Sequence, residues 1–287
     1  MIGVTGAAGF IGRNLIERLE EETEESIIAV DLLNPFMDPF EFLEFIVSHG
    51  DEISIIFHNG ACSDTTVTDP NYVMKYNAEY SIVLLRLCIQ HNIRLIYASS
   101  ASVYGDGPFT EETLHKPKNL YALSKSIFDS YSSAFVPQSS QIVGLRYFNV
   151  FGKYEENKGE MASVVYKFFN QIKNGTIKLF ENSSDYLRDF IHVDDVIEVN
   201  LFFYHNPIYQ GIYNVGTSEE RSFEDIANIF KINYGTDIEY VKMPPKLVGK
   251  YQAYTKSDNT KIRTIFPHTY KTLEQGVEKY LSYLENQ

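Results

Sequence analysis

Tyr121-Ala122-Leu123-Ser124-Lys125 sets a phenol and an amine four residues apart, a spacing that on a helix turns both side chains to one face. A phenol titrates near 10, so using its phenolate at neutral pH costs about 4 kcal/mol. One cation about 4 Å away, at an effective dielectric near 20, supplies about that much. Lys125 would thus make Tyr121 a general base for a hydroxyl. Ser100, just beyond the apolar run 95–98, would keep that hydroxyl in line. The bland reading is an interfacial tyrosine and a surface lysine.

Val4-Thr5-Gly6-Ala7-Ala8-Gly9-Phe10-Ile11-Gly12 places three glycines at three-residue spacing between an apolar run and an amphipathic one. Gly6 would allow a tight turn, Gly9 would let backbone approach a pyrophosphate, and Gly12 would let the helix pack closely on the strand. The unpaired N–H groups and positive dipole of that helix start would then face the phosphates. Asp31 lies 25 residues after Gly6, at the end of the second apolar run. Its carboxylate can accept from a ribose diol, worth about 1.5 to 3 kcal/mol. A 2′-phosphate would meet a like charge there, so Asp31 alone favours NAD. Arg13, directly after Gly12, is the nearby cation that could offset Asp31; its other reading is an exposed helix residue.

Short apolar runs at 2–4, 27–30, 53–57, 95–98 and 142–147 alternate with stretches of helical period, the pattern of βα units in a parallel sheet covered on both faces. Ile11, Leu15, Ile16 and Leu19 share one helical face, as do Leu123, Ile127, Phe128 and Tyr131. The chain to about residue 152 is therefore expected to form a doubly wound α/β domain. Beyond it, helices are expected at 161–173, 193–205, 223–232 and 273–284, and strands at 178–181, 188–193 and 238–241. Only 21 residues separate Asp31 from Ile53, and they read as one short helix, 40–47. The expected division is 1–152 with about 189–217 for the dinucleotide, and about 153–188 with 218–287 for the substrate.

Thr5 to Gly12, Asn59-Gly60-Ala61, Tyr97-Ala98-Ser99-Ser100, Tyr121 to Lys125 and Arg146-Tyr147-Phe148-Asn149 together resemble the extended short-chain dehydrogenase/reductases, over nearly the whole chain. The resemblance implies a Rossmann-type doubly wound parallel sheet with a smaller mixed α/β substrate domain. Dehydratases of that superfamily usually carry Asp-Glu just after the active-site Ser or Thr. Ala101-Ser102 stand there in this chain, which leaves oxidation and reduction or epimerisation.

Four further segments resemble the ADP-heptose 6-epimerase branch: His58 to Thr66, Gly144 to Gly152, Lys158 to Ser163, and Gly249 to Ala253. That branch implies oxidation of the C6″ hydroxyl of ADP-D-glycero-β-D-manno-heptose by NADP, with NAD as the other form, and return of the hydride to the opposite face. One acid/base must then serve each face of the carbon. Tyr121 can serve one, and Lys158 matches the second; by its own sequence context Lys158 reads as a solvent-facing lysine in a polar loop. The same match implies a cofactor wall of Gly6, Gly9, Phe10, Ile11, Gly12, Asp31, Leu32, Asn59, Gly60, Ala61, Cys62, Ser63, Asn77, Lys125, Val150 and Lys158. It implies a sugar-nucleotide site of Ser100, Asn149, Glu160, Lys167, Phe180, Glu181, Asn182, Ser183, Arg188 and Tyr251, with the planar fork of Arg188 on the diphosphate. Glu160 and Lys167 replace the Ser and His often found there. The basic loop and extra strand usual between Asp31 and Ile53 have no counterpart. A homo-oligomer, pentameric in that branch, is implied as well.

The 287 residues are 44% hydrophobic with a net charge of -13, enough for a large core and the wrong sign for nucleic acid, since 25 Lys and Arg face 38 carboxylates. Two cysteines make no disulfide framework, no basic leader precedes the first motif, and no apolar run approaches the roughly 20 residues that span a bilayer. A soluble, cytoplasmic protein with no membrane attachment is expected. The seven histidines lack metal-ligand spacing, so no metal is implied. Asp194-Asp195 reads as a helix N-terminal cap. Two other functions compete: a 4-epimerase or 4-reductase of another nucleotide hexose, indifferent to Lys158, and a noncatalytic dinucleotide-binding module.

Overall fold

β1 (Ile2–Thr5), α1 (Phe10–Glu22) and β2 (Ile27–Val30) make the first βα unit, followed by α2 (Pro39–His49) and β3 (Ile55–His58). α3 (Pro70–Met74) continues through a π turn, Lys75–Glu79, into α4 (Tyr80–Gln90), and β4 (Arg94–Ser100), α5 (Leu120–Ser133) and β5 (Ile142–Tyr147) come next. The remainder is β6 (Asn149–Phe151), α6 (Val164–Ile172), β7 (Thr176–Phe180), β8 (Leu187–His192), α7 (Val193–His205), β9 (Gly211–Val215), β10 (Glu220–Ser222), α8 (Phe223–Tyr234), β11 (Asp237–Val241), α9 (Thr260–Arg263) and α10 (Leu273–Glu285). This computed structural model describes residues 1–136, 140–244 and 253–287. Among them no helix is long and apolar enough to cross a membrane.

Six parallel strands form the main sheet in the order β2-β1-β3-β4-β5-β9. α1 and α7 cover one face through Leu15, Leu19, Val196 and Phe203. α2, α4 and α5 cover the other through Phe42, Ile46, Leu84 and Phe128. β1, β3 and β5 are accordingly buried along their whole length and mostly apolar, as expected of strands between two helical layers. Winding reverses between β1 and β3, which opens a crevice beyond their carboxyl ends. A separate core of Phe151, Val165, Phe168, Leu179, Phe230, Val277 and Leu281 is built by α6, α8 and α10 with the shorter strands.

The departures from the sequence reading have local causes. The expected strand 53–57 begins at Ile55 because a 3₁₀ turn, Gly50–Glu52, uses the preceding residues. The expected helix 161–173 begins at Val164, where the Ser163 hydroxyl caps it by accepting from Tyr166 N–H. Asp194-Asp195 is not the cap of α7: His192 is, and both carboxylates sit in the first turn, Asp194 paired with Lys279 and Asp195 with Lys271. Between Asp31 and α2 the chain touches β2 at a single parallel bridge, Val30 with Met37, in place of an added strand.

α5 is fastened to the sheet by a buried ion pair, Arg146 Nε donating to Asp129 Oδ2 at 2.8 Å. The rest of the Arg146 fork donates to the Tyr104 hydroxyl and the Glu111 carbonyl and meets His115. Tyr97 donates to the other Asp129 oxygen. Asp129→Ala leaves a buried guanidinium without its counter-charge and is expected to destabilise the fold by about 3 to 5 kcal/mol in urea unfolding.

Candidate active site

The glycine loop is shaped by contacts that admit no side chain. Gly6 has φ +71°, and a β-carbon on it would stand 2.7 Å from Gly60 N. A β-carbon on Gly12 would stand 2.0 Å from the Gly6 carbonyl oxygen. Gly9 caps α1 with no side-chain hydrogen bond, and the first turn holds no acidic residue, so the N–H groups of the helix start are left for an anion. Beneath the loop, the Thr5 hydroxyl accepts from Gly60 N–H and meets His58 Nδ1 at 2.6 Å, while His58 Nε2 meets Ser81. Burial and the Lys125 charge push His58 down to about 3, so it stays neutral and locks the ends of β1 and β3 together.

A cavity of about 490 Å³ lies over these strand ends. Of the residues expected in the cofactor wall, Gly6, Gly9, Phe10, Ile11, Gly12, Asp31, Leu32, Asn59, Gly60, Ala61, Cys62, Ser63, Lys125, Val150 and Lys158 all line it, and so do Ser100 and Tyr121. The wall suits a dinucleotide: Asn59 Nδ2 and Ser99 Oγ are buried without hydrogen-bond partners, and both residues face the cavity. Asp31 accepts from Ala8 N–H at 3.0 Å and Leu33 N–H at 3.2 Å, which fixes its carboxylate at the rim. Arg13 does not neutralise it, because its guanidinium stacks 3.8 Å from the centre of the Tyr154 ring. Among the described residues of the wall, Lys125 and Lys158 are the cations.

Tyr121 and Lys125 rise from the first two turns of α5, whose start is capped by Asn119. Ser100 is the last residue of β4, and Lys158 comes from the loop between β6 and α6. Lys125 Nζ donates to the Ala98 carbonyl at 2.8 Å, and burial pushes Tyr121 above its ordinary value against the hydrogen bond from Ser100. Burial also pushes Lys125 down to about 8, opposed by Asp129, and lowers Lys158, opposed by Glu155 and aided by Lys167. Desolvation thus favours the neutral forms of Tyr121, Lys125 and Lys158.

Other expected residues lie elsewhere. Asn77 does not line the cavity; its side chain is spent behind the wall, on both Cys62 backbone groups and the Ser124 hydroxyl. Asn149 donates to Thr255 Oγ1 and to the Asp189 carbonyl, and Lys167 donates to the Glu160 carbonyl. Phe180 ends β7, Glu181 N–H bonds to Val241, Asn182 takes φ +61°, and Ser183 is buried. Arg188 is buried in β8 with its guanidinium over the Phe223 ring. None of these nine lines the cavity, and Tyr251, with Gly249 and Lys250, lies outside the described residues. Sequence reasoning missed Tyr72, Tyr76 and Tyr80, which line the wall on the helical run through the π turn; their four-residue spacing was the available signal.

Residues 2–216 match the NAD dependent epimerase/dehydratase family, and the chain belongs to it. A protein of Brachyspira hyodysenteriae named ADP-L-glycero-D-manno-heptose-6-epimerase is 44% identical, over 99% of this chain and 98% of its own. The crystal structure of the Helicobacter pylori protein of that name superposes with a TM-score of 0.87 at 30% identity, covering 100% of this chain and 96% of the other. A UDP-glucose 4-epimerase of Thermotoga maritima, solved with UDP-glucose, gives 0.87 at 26% identity, covering 99% and 98%.

Gly12→Ala, forced against the Gly6 carbonyl, is expected to weaken NADH binding by at least about tenfold, or ~1.4 kcal/mol, in calorimetric titration. Lys125 holds its proton less tightly folded, at about 8, than unfolded. Between those values the unfolded chain binds more protons, so stability rises with pH. Relative to Lys125→Met, the wild-type chain should gain about 2 kcal/mol from pH 8 to 10 in urea unfolding.

Proposed function

We propose that this family member interconverts ADP-D-glycero-β-D-manno-heptose and ADP-L-glycero-β-D-manno-heptose by transient oxidation at C6″. The observation that carries the reading is one cavity lined by Tyr121, Lys125 and Ser100 from the sheet side and by Lys158 from a separate loop. Two acid/bases from different elements can serve the two faces of one hydroxyl-bearing carbon. The relative that is 44% identical along its whole length carries the name of that activity.

A bound nicotinamide dinucleotide would accept the hydride from C6″ and give it back, and its positive ring would favour a phenolate nearby. Tyr121 takes the hydroxyl proton on one face, Ser100 orients that hydroxyl, and Lys125 supplies positive charge behind the phenol. Lys158 exchanges the proton on the other face. The glycine loop and the start of α1 hold the pyrophosphate, and Asp31 holds the adenosine ribose. On the charge of the wall we read NAD as preferred over the NADP that the resemblance implies, because Asp31 would face a 2′-phosphate and Arg13 is stacked on Tyr154. Asn77 acts by holding Cys62. The sugar nucleotide would extend toward Asn149, Glu160, Lys167, the Phe180 to Ser183 corner, Arg188 and Tyr251, in the unit 153–188 with 218–287. The separate core of α6, α8 and α10 supports that division from 1–152 with 189–217.

Incubation with ADP-D-glycero-β-D-manno-heptose and cofactor should yield the C6″ epimer by NMR; no epimer rejects the proposal. Tyr121→Phe and Lys158→Met should each lower turnover by at least about 100-fold while leaving dinucleotide affinity within a few-fold. A variant at either position that keeps the wild-type rate removes that residue from its role. NADH should bind more tightly than NADPH in parallel titrations, and the reverse order would reject the NAD reading.

A further inference from the structure

The loop that carries Lys158 closes on one buried carboxylate. Glu155 has no exposed surface, and its Oε1 and Oε2 accept from the Ser163 hydroxyl at 2.6 Å and from Ser163 N–H at 2.7 Å. Gly152 N–H approaches Oε1 at 3.4 Å. The side chain therefore ties the start of the loop, where Gly152 takes φ +138°, to the capping residue of α6. The intervening chain needs that tie: residues 156–161 form a 3₁₀ turn broken at Gly159, φ +53°, with no buried residue of its own.

Glu155 precedes this turn as its N-cap residue, and Lys158 N–H donates to the Glu155 carbonyl at 2.9 Å. In a 3₁₀ turn, residues three apart eclipse one another. The carboxylate and the amine therefore share one side of the loop, with the Lys158 ammonium 5.0 Å from the centre of the Phe10 ring in the cavity wall. We propose that Glu155 is the positioning residue for Lys158, closing the loop and supplying the counter-charge that lets a half-buried amine carry a proton into the cavity. The proposal rests on Lys158 being the second acid/base.

The groups facing this pair are few. Lys167 of α6 adds like charge beside Lys158, and Tyr280 of α10, whose phenol burial holds neutral, lies against Glu155. Burial and Lys167 act to strip the proton from Lys158, and Glu155 is the group that opposes them. Burial raises Glu155 itself, opposed by the Ser163 bonds and by Lys158, so each charge supports the other.

The test follows acylation of Lys158 by an amine-reactive reagent against pH, read by peptide mass spectrometry on the full-length protein. Glu155→Gln keeps the shape and removes the charge; the midpoint for Lys158 should fall by about one pH unit or more. The matching limb of the epimerisation pH profile should move with it, and Glu155→Asp should restore part of both. An unmoved midpoint in Glu155→Gln overturns the proposal. If that variant does not fold, Ser163→Ala carries the test with the same sign and a smaller movement, and an unmoved midpoint there overturns it equally. Lys158→Met separates the two levels: wild-type turnover in that variant sinks the acid/base reading itself. Lost turnover in Lys158→Met with an unmoved midpoint in Glu155→Gln sinks only the role of Glu155.

Discussion

Charge taken out of water is the constraint on which this site turns. Tyr121, Lys125 and Lys158 all border a cavity whose burial favours their neutral forms, and the acid/base roles proposed for Tyr121 and Lys158 require each to visit both states. The fold meets the constraint with carboxylates placed behind the amines: Asp129 one helical turn below Lys125, and Glu155 one 3₁₀ turn before Lys158. Both are fully buried, and both are held by several donors. Asp129 also extends the site into the scaffold, since its partner Arg146 reaches Tyr104, whose hydroxyl donates to Asn214 on β9. The helix that presents the phenol is thereby registered against the centre and one edge of the sheet.

How much was legible in the sequence depended on how local each feature is. The glycine loop is contiguous, and the contacts that crowd Gly9 and Gly12 come from Gly6 within it, so Gly6, Gly9 and Gly12 stand in the wall as read, although Gly6 itself is crowded by the distant Gly60. Tyr121 and Lys125 share a face because helical geometry alone puts them there. Where the Lys125 amine settles is less local, since it donates to the Ala98 carbonyl on the strand beside the helix.

Long-range features were the ones lost. β9 pairs with β5 from more than 60 residues away, and its sequence contains Gly211 and Asn214, neither of which marks a buried strand. Asn214 is there because its amide bonds to the Phe109 and Asp258 carbonyls, partners only the folded chain brings close. Asn77 shows the same effect in the site: the residue was singled out for the cofactor, yet its polar atoms serve the backbone of a neighbouring loop. Lys158 is the reverse case. Its own neighbourhood in sequence is polar and rich in charge, yet its side chain lines the cavity.

The single bridge between Val30 and Met37 leaves β2 as the margin of the sheet, with Leu32 and Leu33 at 53% and 62% exposure on the rim of the cavity. A purine lodged there would be covered from below and left wet from above. Most of the grip on a dinucleotide must then come from the pyrophosphate loop and the nicotinamide end. Its outer base becomes the natural place for release to begin, as a peel from the margin inward.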